Sequence, residues 1–253
     1  MLIEINHLNK SFGGIVAVND VTTKIEEGKI YSIIGPNGAG KTTLFNLITG
    51  AYTRTSGSIL YNNVPIDMRK PYEIHKMGIS RTFQNIRLFS KMSVLENVMV
   101  GMHSHINASV IQSFIPGKSL KVEKIIFKHG MEVLSIVGLA DKYNEEATSL
   151  TYGQQRRLEI ARALASDPKV LLLDEPAAGT NIKESADLLS LIKWIDKELK
   201  ITVVFIEHNM RVVMNVSDHI IVLDHGSKIA EGEPEMIKND PLVIEAYLGR
   251  RKT

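Results

Sequence analysis

Gly35-Pro36-Asn37-Gly38-Ala39-Gly40-Lys41-Thr42 follows the apolar run from Lys29 to Ile34 and leads into Thr43-Leu44-Phe45-Asn46-Leu47-Ile48-Thr49-Gly50. The spacing is G-x-x-x-x-G-K-[ST], set between a strand pattern and a helix over Thr43 to Thr49 that Gly50 ends. Each residue type has a physical reason. Backbone N–H groups converge on phosphate oxygens only where side chains do not block the approach, hence the glycines. Lys41 adds a point charge for the β- and γ-phosphates, and the Thr42 hydroxyl is a ligand for Mg²⁺. The expected phosphate-binding set is Gly35, Pro36, Asn37, Gly38, Ala39, Gly40, Lys41, Thr42 and Thr43, with a nucleoside triphosphate as ligand.

Working outward, strand and helix patterns alternate downstream. Lys169 to Leu173 reads as a strand, Lys183 to Leu199 as a helix and Ile201 to Ile206 as a strand. A short helix near Asn209 to Val216 and a strand over Ile220 to Leu223 follow. This order predicts an α/β fold with a parallel sheet covered by helices. Upstream, Leu2 to Leu8 and Ala17 to Ile25 alternate apolar with polar, and Gly57 to Tyr61 with Val64 reads as a hairpin turned at Asn62-Asn63. The first 70 or so residues therefore combine a small antiparallel sheet with one strand of the parallel core. From Ser93 to Ala165 the period turns helical, opening on a capping box at Ser93-Val94-Leu95-Glu96. Residues 102–120 are polar, broken by Pro116-Gly117, and read as a loop or insertion; Lys121 to Val137 is helical despite Gly130.

Composition narrows the function. Lys plus Arg number 30 against 28 Asp plus Glu, a formal charge of +2, which lacks the basic excess of a nucleic-acid binder. There is no cysteine, so disulfides, Cys-based zinc sites and a thiol nucleophile are excluded. The longest apolar runs, Val170 to Leu173 and Val203 to Ile206, fall far short of the roughly 20 residues of a membrane span. Met1 to Ile5 shows no basic n-region, so no secretion signal is expected.

Val170-Leu171-Leu172-Leu173 ends in Asp174-Glu175-Pro176. An acid at the carboxyl end of a parallel strand is placed to hold Mg²⁺, and the adjacent Glu175 to act as general base on water. His208, in Phe205-Ile206-Glu207-His208, holds the equivalent place on the next strand, where an imidazole reaches the γ-phosphate. Singly, either feature is an ordinary solvated strand end. Their order after a phosphate loop gives them weight. The remaining histidines, including His103 and His105, show no metal-ligand pattern.

Leu150-Thr151-Tyr152-Gly153-Gln154-Gln155-Arg156-Arg157 opens a helix and resembles the ABC ATPase signature, L-S-G-G-Q followed by a basic residue. With the phosphate loop, Gln84 in Arg81-Thr82-Phe83-Gln84-Asn85, Asp174-Glu175 and His208, the family's motifs occur in order, so the resemblance spans essentially the whole chain. Tyr152 to Ala161, Glu175-Pro176-Ala177-Ala178-Gly179 and the tail Ile244 to Gly249 look like the ATP-binding subunits of branched-chain (hydrophobic) amino-acid importers.

The resemblance implies a P-loop NTPase (RecA-like) parallel-sheet core with an antiparallel β subdomain and a helical signature subdomain. It implies one nucleotide-binding domain over 1–253, divided as 1–85, 86–160 and 161–253. It also assigns roles. Phe12, in Lys10-Ser11-Phe12-Gly13-Gly14, would stack on adenine, and Gln84 would touch Mg²⁺ or the attacking water. Thr42, Gln84 and Asp174 would hold the metal, with Glu175 as base and His208 aligning the water. Thr151, Gly153 and Gln154 would face the γ-phosphate bound by a second ATPase subunit in a head-to-tail dimer, the N-terminus of a helix being an anion site. Integral membrane permease subunits and, indirectly, an extracytoplasmic substrate-binding protein are the implied partners, without nucleic acid, at the cytoplasmic face of the inner membrane. Tyr152 departs from the signature's first glycine and Thr151 from its serine, while Thr180-Asn181-Ile182 departs from the usual end of the loop after Glu175. Alternatives are the ATPase subunit of a lipid or lipopolysaccharide exporter, or a soluble ABC ATPase acting on nucleic acid or translation. The single domain and near-neutral charge disfavour the soluble reading, and a small-molecule kinase would have no use for a signature helix.

Overall fold

The structure, a computed structural model, describes residues 1–102 and 119–248, so nearly all of the 102–120 insertion, with His103 and His105, lies outside the described residues. In chain order the elements begin β1 (Ile3–Phe12), β2 (Ile15–Ile25), β3 (Ile30–Ile34), α1 (Lys41–Ile48), β4 (Ser56–Tyr61), β5 (Val64–Pro65), α2 (Pro71–Lys76) and β6 (Ile79–Arg81). The helices α3 (Val94–Gly101), α4 (Ser119–Ile136) and α5 (Tyr152–Leu164) follow. Then come β7 (Val170–Asp174), α6 (Ile182–Leu199), β8 (Thr202–Ile206), α7 (Met210–Val216), β9 (His219–Asp224), β10 (Ser227–Gly232), α8 (Pro234–Lys238) and α9 (Pro241–Leu248).

Six strands form one sheet in the order β10-β9-β3-β8-β7-β6. All neighbours are parallel except β10, which runs antiparallel on β9 at the edge. Every residue of β3, β7 and β8 is buried. That is why these strands read as unbroken apolar runs: the sheet is covered on both faces. Alternate residues divide between two cores. Leu171, Leu173, Val203 and Phe205 join a cluster with the helices α3 to α7, while Val170, Leu172, Val204 and Ile206 join α1 and the second sheet. That second sheet is antiparallel, in the order β2-β1-β4-β5. Asn62 and Asn63 both take positive φ (49° and 62°), as a two-residue hairpin turn requires.

The structure corrects several expected boundaries. β1 continues to Phe12 because register shifts after Ile5, Leu8 and Lys10 break the alternation that would have marked it. The helix expected from Thr43 begins at Lys41, so the last two motif residues already lie in its first turn. Strands β6 and β10 carry no clear pattern, one being three residues long and the other a half-buried edge. Gly130 does not interrupt α4. A Cβ there would lie 2.6 Å from Leu95 Cδ1, so the glycine lets α4 approach α3 closely.

The stretch before α3 hangs on one buried amide. Asn97 Nδ2 donates to the carbonyls of Phe89 (3.1 Å) and Ser93 (3.0 Å), and Asn97 Oδ1 accepts from the Phe89 N–H (2.8 Å). The expected capping box is present, with Ser93 Oγ accepting from the Glu96 N–H and Glu96 Oε2 from the Ser93 N–H. The Phe89 and Ser93 carbonyls also accept from the Met92 and Asn97 backbone N–H groups, so replacing Asn97 with leucine chiefly strips the Phe89 N–H of its acceptor. The expected result is a loss of about 1–3 kcal/mol, read as a lower urea midpoint with unchanged slope.

Candidate active site

The phosphate loop is wedged between the two sheets. A Cβ on Gly35 (φ 147°) would lie 2.0 Å from the Leu223 carbonyl oxygen of β9, and one on Gly40 (φ 97°) 2.3 Å from the Ala17 carbonyl oxygen of β2. Both positions require glycine on conformation and on space. The Gly226 N–H, in the turn between β9 and β10, closes the wedge by donating to the Ala39 carbonyl at 3.1 Å. α1 starts at Lys41, so the unpaired N–H groups of its first turn face the loop's concavity. The Lys41 ammonium donates to the carbonyl oxygens of Gly35 (2.7 Å) and Pro36 (2.9 Å). Burial lowers its pKa, and the carboxylates of Glu175 and Asp174 oppose that shift.

A cavity of about 250 Å³ opens over this loop, lined by Asn37 to Thr43, Ala17, Gln84, Glu175 and His208. Residues distant in the chain thus meet at the carboxyl ends of β7 and β8. Gly35 and Pro36 are not on its wall; their carbonyls face the lysine instead. Glu175 is the hub. Its Oε1 is 2.8 Å from His208 Nε2, and its Oε2 accepts from Gln84 Nε2 at 3.0 Å. The Glu175 backbone is left-handed (φ 49°), while its N–H still donates to the Ile206 carbonyl of β8 at 3.0 Å.

Asp174 is buried beside it. Arg81 donates to Asp174 Oδ2 at 2.7 Å, whereas Asp174 Oδ1 has no hydrogen-bond partner among the described residues. A buried, orphaned carboxylate oxygen whose charge is felt at Lys41 suits Mg²⁺, which takes one or two protein carboxylates and completes its shell with water and substrate phosphates. No group of three or more His, Cys, Asp and Glu forms a metal site among the described residues.

Two residues here escape motif reasoning. Arg81 joins β6 to α1 and β7, donating to Asn46 Oδ1 (2.6 Å) as well as to Asp174, with its guanidinium between the rings of Phe45 and Phe83. Glu207 is buried and accepts from the N–H groups of Ala177 (2.9 Å) and His208 (3.1 Å), strapping the loop after Glu175 to the one carrying the histidine. Burial raises its pKa, and the backbone N–H groups oppose the shift. The sequence signal for Glu207 was a charged residue at the end of an apolar run, whereas Arg81 ends a three-residue strand that carries no pattern.

Other expected site residues lie elsewhere. Phe12, at the end of β1, is outside the cavity wall, half exposed, edge-on to Tyr52 (5.2 Å) and 4.7 Å from Lys10 Nζ. Thr151 caps α5, its Oγ1 accepting from the Gln154 N–H (3.3 Å) while Gln154 Oε1 accepts from the Thr151 N–H (3.0 Å). Together with buried Gly153, these residues are not on the wall of this cavity. In Thr180-Asn181-Ile182, Asn181 is the cap of α6, bonded reciprocally to Glu184, and Ile182 is exposed.

A strand–loop–helix phosphate cradle at the carboxyl edge of a parallel sheet defines a P-loop nucleotide-binding protein. Residues 18–178 match the ABC transporter family, and residues 227–253 match the branched-chain amino acid ATP-binding cassette transporter family. The chain is 44% identical to the high-affinity branched-chain amino acid transport ATP-binding protein BraF of Pseudomonas aeruginosa over 249 residues, covering 98% of each chain. It is 42% identical to LivG, the corresponding protein of Escherichia coli, over the same share. Among solved structures, a nucleotide-free ATP-binding cassette from an ABC transporter superposes with a TM-score of 0.83 at 34% identity, covering 98% of this chain and 99% of that one. A dimeric cassette bound to ADP and Pi gives 0.78 at 28% identity, covering 92% and 99%. The chain belongs to the ABC transporter family, as an ATP-binding and ATP-hydrolysing subunit.

The buried ion pair provides a test of the site's architecture. Arg81→Met strips Asp174 of its one side-chain hydrogen bond among the described residues and is expected to cost about 3–5 kcal/mol in thermal or urea unfolding. Adding Asp174→Asn, which removes the uncompensated charge, should recover part of that loss.

Proposed function

We propose that this chain is the energy-coupling subunit of an importer for branched-chain or other hydrophobic amino acids. The observation that carries the catalytic reading is the meeting of Gln84, Glu175 and His208 over the phosphate loop. The full-length likeness to BraF and LivG supports the substrate class. No described helix is long and apolar enough to cross a membrane, so separate permease subunits would supply the spans, with this chain on their cytoplasmic face.

In this reading the loop N–H groups and Lys41 bind the triphosphate of ATP, and Phe12 supplies an aromatic face for adenine. Thr42, Asp174 and Gln84 are the residues to hold Mg²⁺, which when bound neutralises charge on the phosphate oxygens. Glu175 accepts a proton from the water whose oxygen attacks the γ-phosphorus, as the bond to the ADP oxygen breaks. His208 and Gln84 fix the two carboxylate oxygens, so the base meets the water already oriented. Thr151, Gly153 and Gln154 complete the site of a second copy or paralogue. Closure of the pair on ATP and its reopening after hydrolysis would be passed to the permeases through the 86–160 segment, which forms one of three interleaved parts of a single domain.

Glu175→Gln should retain ATP binding, lose turnover and accumulate as an ATP-bound dimer in size-exclusion chromatography; sustained hydrolysis would remove Glu175 as the base. Lys41→Ala should weaken nucleotide binding itself, measured by equilibrium titration with ATP. A tagged chain purified from detergent-solubilised membranes should bring down an integral membrane permease. Recovery of a soluble partner alone would overturn the transport reading.

A further inference from the structure

The segment carrying Gln84 has no regular structure between β6 and α3, and side chains of α5 hold its backbone. Arg156 is buried and donates to the carbonyl oxygens of Phe83 (3.0 Å) and Gln84. Glu159, also buried, accepts from the Arg87 N–H at 2.8 Å and from Arg156 at 3.4 Å, and Arg162 donates to the Arg87 carbonyl. Spaced three apart, these residues share a face of α5 and grip both ends of the segment from 83 to 87. Burial raises the pKa of the Glu159 carboxyl, opposed by the Arg87 amide and the two arginines.

The same arginine reaches the first turn of α5. Tyr152 Oη accepts from Arg156 at 2.9 Å, and the guanidinium lies 5.3 Å from the Tyr152 ring centroid. That ring packs against Gly179, where a Cβ would lie 2.9 Å from Tyr152 Cε1. One aromatic residue therefore sits within the signature turn, touches the loop that follows Glu175, and is joined through Arg156 to the backbone of Gln84. Gln84 in turn holds Glu175. A glycine at 152, as in the usual signature, would leave Arg156 without this acceptor.

We propose that Tyr152 and Arg156 form a positioning relay: movement of the signature turn against a partner's nucleotide resets Gln84, and with it Glu175, in the same chain. The proposal rests on the roles given above to Gln84 and to the signature. Because a chain's signature and its Glu175 belong to different composite sites, the relay makes each site sensitive to occupancy of the other.

Tyr152→Phe keeps the ring against Gly179 and deletes one acceptor. In the purified full-length chain with MgATP, kcat is expected to fall about threefold to thirtyfold, with ATP affinity unchanged and cooperativity in ATP lost. Arg156→Lys should behave likewise, since an ammonium cannot span two carbonyls and a phenol as a guanidinium fork does. In a Gln84→Ala background, Tyr152→Phe should cause no further loss. Wild-type turnover in Tyr152→Phe, or losses that multiply in the double variant, would overturn the relay while leaving Gln84 in place. Wild-type turnover in Gln84→Ala would instead overturn the role of Gln84 and the relay with it.

Discussion

Both oxygens of the Glu175 carboxylate are engaged, one by His208 from the end of β8 and the other by Gln84 from the segment beyond β6. The rest of the molecule can be read as what keeps these three strand ends in register. β6, β7 and β8 are adjacent and parallel, so their carboxyl ends open on the same edge. The parallel ladders set that register, pairing Arg81 with Leu172 and Asp174 with Ile206. The phosphate loop joins the same edge through β3, the neighbour of β8.

Around this constellation the protein places charge where it is costly. Asp174, Glu159, Glu207, Arg156 and Lys41 are all buried. Each is held by backbone groups, by an opposite charge, or by both, as buried charge requires. Their partners come from other elements, so the pairs act as cross-links between strand ends, loops and helices. Two of them keep an atom without a hydrogen-bond partner among the described residues, Asp174 at Oδ1 and Arg156 at Nε.

Much of this was legible from the chain alone. The buried strands β3, β7 and β8 announce themselves as apolar runs, the Asn62-Asn63 hairpin by its turn residues, and the helix start at Ser93 by a side chain that can bond reciprocally with the residue three further on; the reciprocal cap at Thr151 went unread. β1 was cut short because bulges interrupt its period, and β6 is too short to have one. Lys41, Glu175 and His208 could be picked out because motif spacing ties each to a strand end. Arg81 and Asp174 are 93 residues apart, and Arg156 and Phe83 are 73 apart. Such pairs arise from tertiary packing, and nothing local marks them. Phe12 illustrates the opposite case: the aromatic was found, yet its ring stands outside the cavity that the other residues line.

The left-handed backbone at Glu175 carries an energetic consequence. A residue with a Cβ pays about 1 kcal/mol or more for that conformation, and glycine does not. At this position a mutation that abolishes the carboxylate can also relax the chain. Of the ordinary residues only glycine removes that cost, so the carboxylate stands where the local backbone disfavours any side chain.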